Sequence, residues 1–330
     1  MRGFKGNCFV FLVEMLVLLR VLQFPCPCLA ELRVGFYNRT CPLAESVVRA
    51  KVKEAVGSDR QNAAILLRIH FHDCFVEGCD GSILVDNGED SERNAFGHLG
   101  VGGFEIIEEV KAKLERVCPG VVSCADIVAL AARDAVSLSR GPFYEVLTGR
   151  RDGLVSNKSL AANMPDVDDS ARVLRSKFRQ KGLSDKDLVL LSSAHSIGTT
   201  ACFFMGTRLY RFDHKNRSDP SINPHFLPTL KTKCPLDGDV NVRLPLDPVT
   251  ESVLDDQILR NIRKGFAVLS SDARLYDHRS TRHIVETYAG GGSFRGDFAK
   301  AMVKMGRIGA KTGRYGEIRR VCSSFNQRPV

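Results

Sequence analysis

Long apolar runs are scarce in this chain. Glu14 and Arg20 interrupt the most hydrophobic segment, residues 9–24, so no uncharged stretch approaches the roughly 20 residues of a membrane-crossing helix. No dense basic run with interleaved aromatic residues occurs, which speaks against a nucleic-acid surface. No pair of CxxC knuckles occurs either, which speaks against structural zinc. Internal repeats and low-complexity linkers are missing, and the period-2 alternation of a half-buried strand is rare.

What remains is a chain of 330 residues, 44% hydrophobic and 26% charged, able to bury a large core. Apolar residues recur at helical spacing over 43–56, 63–76, 104–117, 124–138, 188–197 and 298–305, so the expected fold is mainly α. Cys118-Pro119-Gly120, Arg140-Gly141-Pro142, Asn163-Met164-Pro165, residues 218–224 and Gly290-Gly291-Gly292 mark the breaks. Ser184-Asp185-Lys186-Asp187 has the form of an N-terminal cap for the following helix.

Arg2 and Lys5 precede the apolar segment, and small residues follow it at Cys28-Leu29-Ala30. This is the order of a secretory leader over residues 1–30, cleaved after Ala30, with the mature domain spanning 31–330. Cleavage removes three cations (Arg2, Lys5, Arg20) and one anion (Glu14), taking the formal charge from +9 to +7. Such a surplus suits solubility and also retention on an acidic cell-wall polysaccharide. Eight cysteines remain in the mature chain: Cys41, Cys74, Cys79, Cys118, Cys124, Cys202, Cys234 and Cys322. An even number after a secretory leader implies disulfides, with 105 pairings open. Sequons at Asn38, Asn157 and Asn216 agree with that route.

Two segments carry candidate chemistry. In Arg68-Ile69-His70-Phe71-His72-Asp73-Cys74-Phe75, Arg68 and His72 stand four apart and share a helix face, with His70 elsewhere. A fixed cation beside a neutral imidazole suits peroxide cleavage, because the imidazole moves a proton between the oxygens while the guanidinium stabilises charge on the leaving one. Alone, such a pair also suits a structural contact. In Leu191-Ser192-Ser193-Ala194-His195-Ser196-Ile197-Gly198, small residues flank His195 and would admit a flat ring to an axial imidazole. A satisfied core histidine is the competing reading of that octapeptide.

These segments, with His72-Asp73-Cys74-Phe75-Val76, Gly78-Cys79-Asp80-Gly81-Ser82, Val122-Ser123-Cys124-Ala125-Asp126 and Gly149-Arg150-Arg151-Asp152, resemble the signature segments of the class III plant peroxidases, in order, from Glu31 to about Asn326. The resemblance implies haem b between distal and proximal helical halves, with hydrogen peroxide and small organic, phenolic donors as substrates. Arg68 and His72 match the distal arginine and acid–base histidine, Phe71 the distal lining, His195 the iron ligand, and Asp272 the carboxylate accepting the proximal imidazole N–H. It pairs Cys41 with Cys118, Cys74 with Cys79, Cys124 with Cys322, and Cys202 with Cys234. Two calcium ions are implied, one on Asp73, Val76, Gly78, Asp80 and Ser82, the other on Ser196, Asp247, Thr250, Val253 and Asp255. Ser196 stands where the family has threonine. Pro165 matches a donor-contacting proline, with Phe96 and Phe204 at access-channel positions.

Two departures bear on function. Asp166-Val167-Asp168-Asp169 after Pro165 lacks a second proline and any aromatic residue, and its acidity is expected to favour neutral or cationic donors. His98 stands where the family has an asparagine bonded to the distal histidine, with Glu92 behind it. The contrasting reading is a haem-binding or wall-associated protein that has lost fast turnover through these changes. The expected address is extracellular, since no apolar extension of a vacuolar form follows Cys322, and the expected state is a monomer without nucleic-acid or membrane partners.

Overall fold

Helix α4 (Cys124–Leu138) is the spine of the molecule. Thirteen of its fifteen residues are buried, so it has no polar face and needs neighbours all round. Ser123 caps it, its side chain accepting the Asp126 N–H at 3.1 Å. Helices α1 (Ala44–Ser58), α2 (Gln61–Phe75) and α3 (Phe104–Val117) pack around it and form the distal half. The computed structural model describes residues 31–327, so the expected leader and its cleavage point lie outside the described residues.

The other half is built from α5 (Ala171–Gln180), α6 (Asp185–Ser192), α7 (Gly206–Tyr210), α8 (Leu227–Lys233), α9 (Gln257–Lys264), α10 (Ser270–Arg274), α11 (Arg279–Ala289) and α12 (Phe294–Met305). Two three-residue strands, β1 (Thr199–Ala201) and β2 (Arg243–Pro245), pair antiparallel with Ala201 opposite Arg243. The mainly α expectation holds. The cap at Ser184 is a full capping box, Ser184 and Asp187 each satisfying the other's backbone N–H. After Ser192 the helix tightens into a 3₁₀ turn over Ser193–Ser196, so His195 sits on a turn rather than on the continuous helix expected over 188–197.

Several motif residues serve the scaffold. Asp126 receives the Arg150 guanidinium at 2.7 Å and the Tyr37 hydroxyl at 2.7 Å, all buried. Asp152 accepts the backbone N–H of Ala125 at 2.9 Å and of Arg319 at 2.8 Å. These bonds lock the 149–152 segment to the start of α4 and to the C-terminal loop. Disulfides join Cys41–Cys118, Cys74–Cys79, Cys124–Cys322 and Cys202–Cys234. The last closes a small separate core of Met205, Leu209, Phe226, Leu230 and Leu244, which supports β1 and β2.

Candidate active site

Helix α2 presents Arg68 and His72 on one face, as their spacing requires. Arg68 Nε donates to His72 Nε2 at 3.1 Å. Its two other nitrogens donate to the carbonyls of Gly100 at 2.9 Å and Leu99 at 3.0 Å. Gly100 has a φ of +72°, a left-handed conformation that glycine adopts without strain, and this turn aims its carbonyl and that of Leu99 at the guanidinium. The Leu99 and Gly100 carbonyls are part of the site and were not anticipated; the glycines of Gly100-Val101-Gly102-Gly103 were the available signal.

The distal hydrogen bonds fix the proton positions. Arginine only donates, so His72 Nε2 is the acceptor and neutral His72 carries its proton on Nδ1. That nitrogen faces His98 Nδ1 at 2.8 Å, so His98 accepts there and carries its own proton on Nε2. His98 Nε2 then faces Glu92 Oε1 at 3.7 Å, beyond hydrogen-bond length, and both side chains are fully buried. Burial, then the nearby Arg68 charge, pushes His98 down to about 4. Burial, then the Asp73 charge, pushes Glu92 up to about 9. His72 is held well below the usual histidine range by burial, then by Arg68 and His98. Glu92 therefore does not draw a charge onto His98: neither buried group ionises readily, because desolvation outweighs their attraction.

Phe71 meets the His72 ring edge-on at 5.6 Å and packs on Phe75 and on Phe178 of α5. His70, on the same helix, is buried and points to the other side, with Nδ1 3.6 Å from Cys74 Sγ.

Opposite, His195 Nδ1 lies 2.9 and 3.0 Å from the two oxygens of Asp272, at the first turn of α10. Asp272 is 1% exposed, so it is a buried partner of the imidazole and not a solvated helix cap. Burial opposes charge on His195, but the Asp272 carboxylate and its hydrogen bond outweigh this and raise the imidazole above its ordinary value. With Nδ1 committed as donor, Nε2 keeps its lone pair free. The side chain is 37% exposed, so that nitrogen is reachable. The two halves meet closely: a Cβ on Gly198, three residues after His195, would lie 2.7 Å from the Cβ of Ala64, one turn before Arg68.

The residues of the two implied cation sites also come together. Ser196 Oγ lies 2.7 Å from the Val253 carbonyl and 3.3 Å from Asp255 Oδ1, while Thr250 Oγ1 lies 3.2 Å from both Asp247 and Asp255 carboxylates. In the distal set, Asp73 Oδ1 and Ser82 Oγ are buried without partners. Asp73 is pushed well above the carboxylate range by burial, then by Asp80. Two lysines reach that set: Lys311 bonds the Asp80 carboxylate, and Lys181 donates to the Val76 carbonyl at 2.6 Å. Gly78 neighbours Gly309 backbone, closing the loop.

Gly97 lies against Met164, so the segments carrying Phe96 and Pro165 are neighbours. Phe96 is 68% exposed, and Phe204 is half-buried with Phe203 edge-on at 5.1 Å. Asp169 is tied to Lys177 at 2.7 Å and accepts the Asp166 N–H at 2.9 Å. Part of the acidity expected to steer cationic donors is thus neutralised locally.

An acid–base imidazole with a fixed cation, facing a second imidazole whose outer nitrogen is open, is the division of labour of a haem peroxidase. A family model for peroxidase matches residues 48–291. The chain is 64% identical over 304 residues to Peroxidase 43 of Arabidopsis thaliana, covering 90% of this chain and 93% of the relative. It is 57% identical over 304 residues to Peroxidase 13 of the same plant, with the same coverage. To Peroxidase N1 of Nicotiana tabacum it is 47% identical over 299 residues, covering 89% of this chain and 90% of the relative. The chain belongs to the peroxidase family, in its plant secretory class. It is a haem enzyme that uses hydrogen peroxide to oxidise organic donors.

Proposed function

We propose that the cleft would hold haem b through His195, with Asp272 as the carboxylate behind that imidazole, and Arg68 and His72 as the peroxide-handling pair. The carrying observation is the His195 Nδ1–Asp272 contact, which leaves Nε2 open toward the side on which Arg68 and His72 lie. When bound, haem supplies a two-electron reduction of peroxide and two one-electron oxidations of donor. His72 Nε2 takes a proton from the entering peroxide and returns it to the leaving oxygen. Arg68, held by the Leu99 and Gly100 carbonyls, stabilises the negative charge that develops there. His98 holds His72 in the required tautomer. Asp272 keeps the proton on His195 Nδ1 and makes the ligand more donating. The donor edge is the rim of Phe96, Pro165 and Phe204.

The proximal oxygens of Ser196, Asp247, Thr250, Val253 and Asp255, and the unpartnered distal oxygens of Asp73 and Ser82, suit calcium at two sites. Disulfides and the exposed sequons at Asn38 and Asn216 support secretion, with the positive charge retaining a monomeric enzyme on acidic wall polysaccharide. Asn157 is half-buried, and its Oδ1 accepts from both the N–H and hydroxyl of Ser159. The reading of a protein without fast turnover loses ground because His98 stands in accepting geometry, as its asparagine counterpart would.

The test is a visible spectrum of the purified protein before and after one equivalent of peroxide. Wild type is expected to show a Soret band that shifts; His195→Ala is expected to lose the band or most of its turnover. An unchanged band and full activity in His195→Ala would overturn the assignment.

A further inference from the structure

The haem proposed above carries two carboxylates as well as iron, and the residues named so far provide for the iron and the peroxide only. We propose that Arg243, seated on Thr199, binds a carboxylate of the haem at the mouth of the cleft.

Strand β1 begins four residues after His195, and β2 pairs with it so that Arg243 stands directly opposite Ala201. Residues two apart on a strand share a face, so Thr199, Ala201 and Arg243 project together. Arg243 reaches diagonally along this face, donating from Nε to Thr199 Oγ1 at 2.6 Å and from Nη2 to the Thr199 carbonyl at 3.0 Å. Those bonds orient the planar guanidinium and leave Nη1 uncommitted among the described residues. Ala201 offers no polar atom, so Arg243 supplies the charge on this face.

Location and electrostatics point the same way. Gly198, next to Thr199, abuts Ala64 of α2, and Ala64 and Arg68 lie four apart on that helix. Arg243 therefore stands at the seam where the His195 ribbon meets the helix bearing Arg68. The charge of Arg243 is felt at Arg68, where it adds to burial in lowering that guanidinium's pKa. Among the described residues neither arginine has a carboxylate within ion-pair distance. Two unneutralised guanidiniums at one cleft repel each other and call for an anion between them or beside them. A haem carboxylate at the exposed end of Arg243 would meet that demand with a charge-assisted hydrogen bond.

The proposal rests on the cleft being a haem site, and the experiment separates the two ideas. Haem loss is measured by transfer from the holoenzyme to excess apomyoglobin, for wild type, Arg243→Leu and Arg243→Lys. Each is loaded either with ordinary haem or with its dimethyl ester, which has no carboxylate charge. With ordinary haem, Arg243→Leu is expected to lose the group about tenfold faster, with Arg243→Lys between. With the ester, the three proteins are expected to lose it at equal rates. Equal rates with ordinary haem would overturn the proposal, and so would an acceleration of the same size with both forms, which would mark Arg243 as merely structural. A wild type that takes up neither form would overturn the haem reading itself.

Discussion

The two sides of the cleft differ in how completely their polar atoms are partnered. On the proximal side His195 is gripped by both oxygens of Asp272, and Ser196, Thr250, Asp247 and Asp255 bond among themselves. On the distal side Glu92 Oε1 and Oε2, His98 Nε2, Asp73 Oδ1 and Ser82 Oγ are buried with no hydrogen bond. Buried polar atoms are costly unless paired. The lesson is that the ligand side already partners its polar atoms within the protein, so a cation there adds to contacts that exist, whereas the peroxide side is a chain of dependent contacts whose last members need a cation or a proton.

If so, the sharpest effect comes from the distal acid–base group. His72→Leu removes the proton carrier and is expected to slow the first peroxide step about 10²- to 10⁴-fold. Asp272→Asn only alters what stands behind His195 and is expected to cost about 10- to 100-fold. Stopped-flow mixing of each variant with peroxide reads both rates, and a larger loss for Asp272→Asn would break the comparison.

Calcium offers the next contrast, read in melting temperature. A ligand bound only by the folded state stabilises it by mass action. Without a cation, Asp73 stays protonated well above the ordinary carboxylate pKa, because burial and Asp80 disfavour its charge. The unfolded chain releases that proton near pH 4, so above this pH the folded state binds more protons and loses stability as pH rises. Chelated protein is therefore expected to melt several degrees lower than loaded protein, with a wider gap at pH 8 than at pH 5. The proximal ion, whose oxygens meet no lysine among the described residues, is expected to resist chelator longer than the distal one, where Lys311 and Lys181 compete. An equal gap at both pH values would remove Asp73 from the account, and active protein without calcium would remove both sites.

How much of this was legible in the sequence follows from where each signal lies along the chain. Arg68 and His72 share one turn of helix, so their partnership could be read from spacing. The helices at 104–117 and 124–138 are long enough, at 14 and 15 residues, for apolar residues to recur over several turns, and both have the bounds expected. Helices α5, α9 and α11 were missed because each is short, at 10, 8 and 11 residues, and dense in polar and charged residues, as in Ala-Arg-Val-Leu-Arg-Ser-Lys-Phe-Arg-Gln. Asp272 reads locally as a surface cap; only a fold that spans the 77 residues to His195 makes it a partner, and resemblance supplied that fold. The disulfide pairs likewise came from resemblance, since spacing leaves their connectivity open. Arg243 had no local signal at all, because its meaning depends on which strand it pairs with.

The smallest expected effect is at His98, which stands where the family has an asparagine. From an ordinary histidine pKa near 6.5, acid would be expected to abolish the acceptor for His72 in the range of a plant wall. Burial instead holds His98 down to about 4, with the Arg68 charge adding to it. Neutral His98 accepts the His72 Nδ1 proton at 2.8 Å, which is the service an asparagine carbonyl would provide. Rates for the first peroxide step in wild type and His98→Asn are thus expected to run parallel from pH 8 to about pH 5, and to separate only as pH nears 4. Stability carries the same sign: the unfolded histidine gains its proton near 6.5, whereas the folded one resists until about 4. The histidine's share of stability is therefore complete above about pH 6.5 and declines as pH falls through that window, a slope that His98→Asn is expected to flatten in melting experiments. Profiles that already diverge at pH 6 would mean that Glu92 charges His98 despite burial, and the distal side would then be an ion pair rather than a neutral relay.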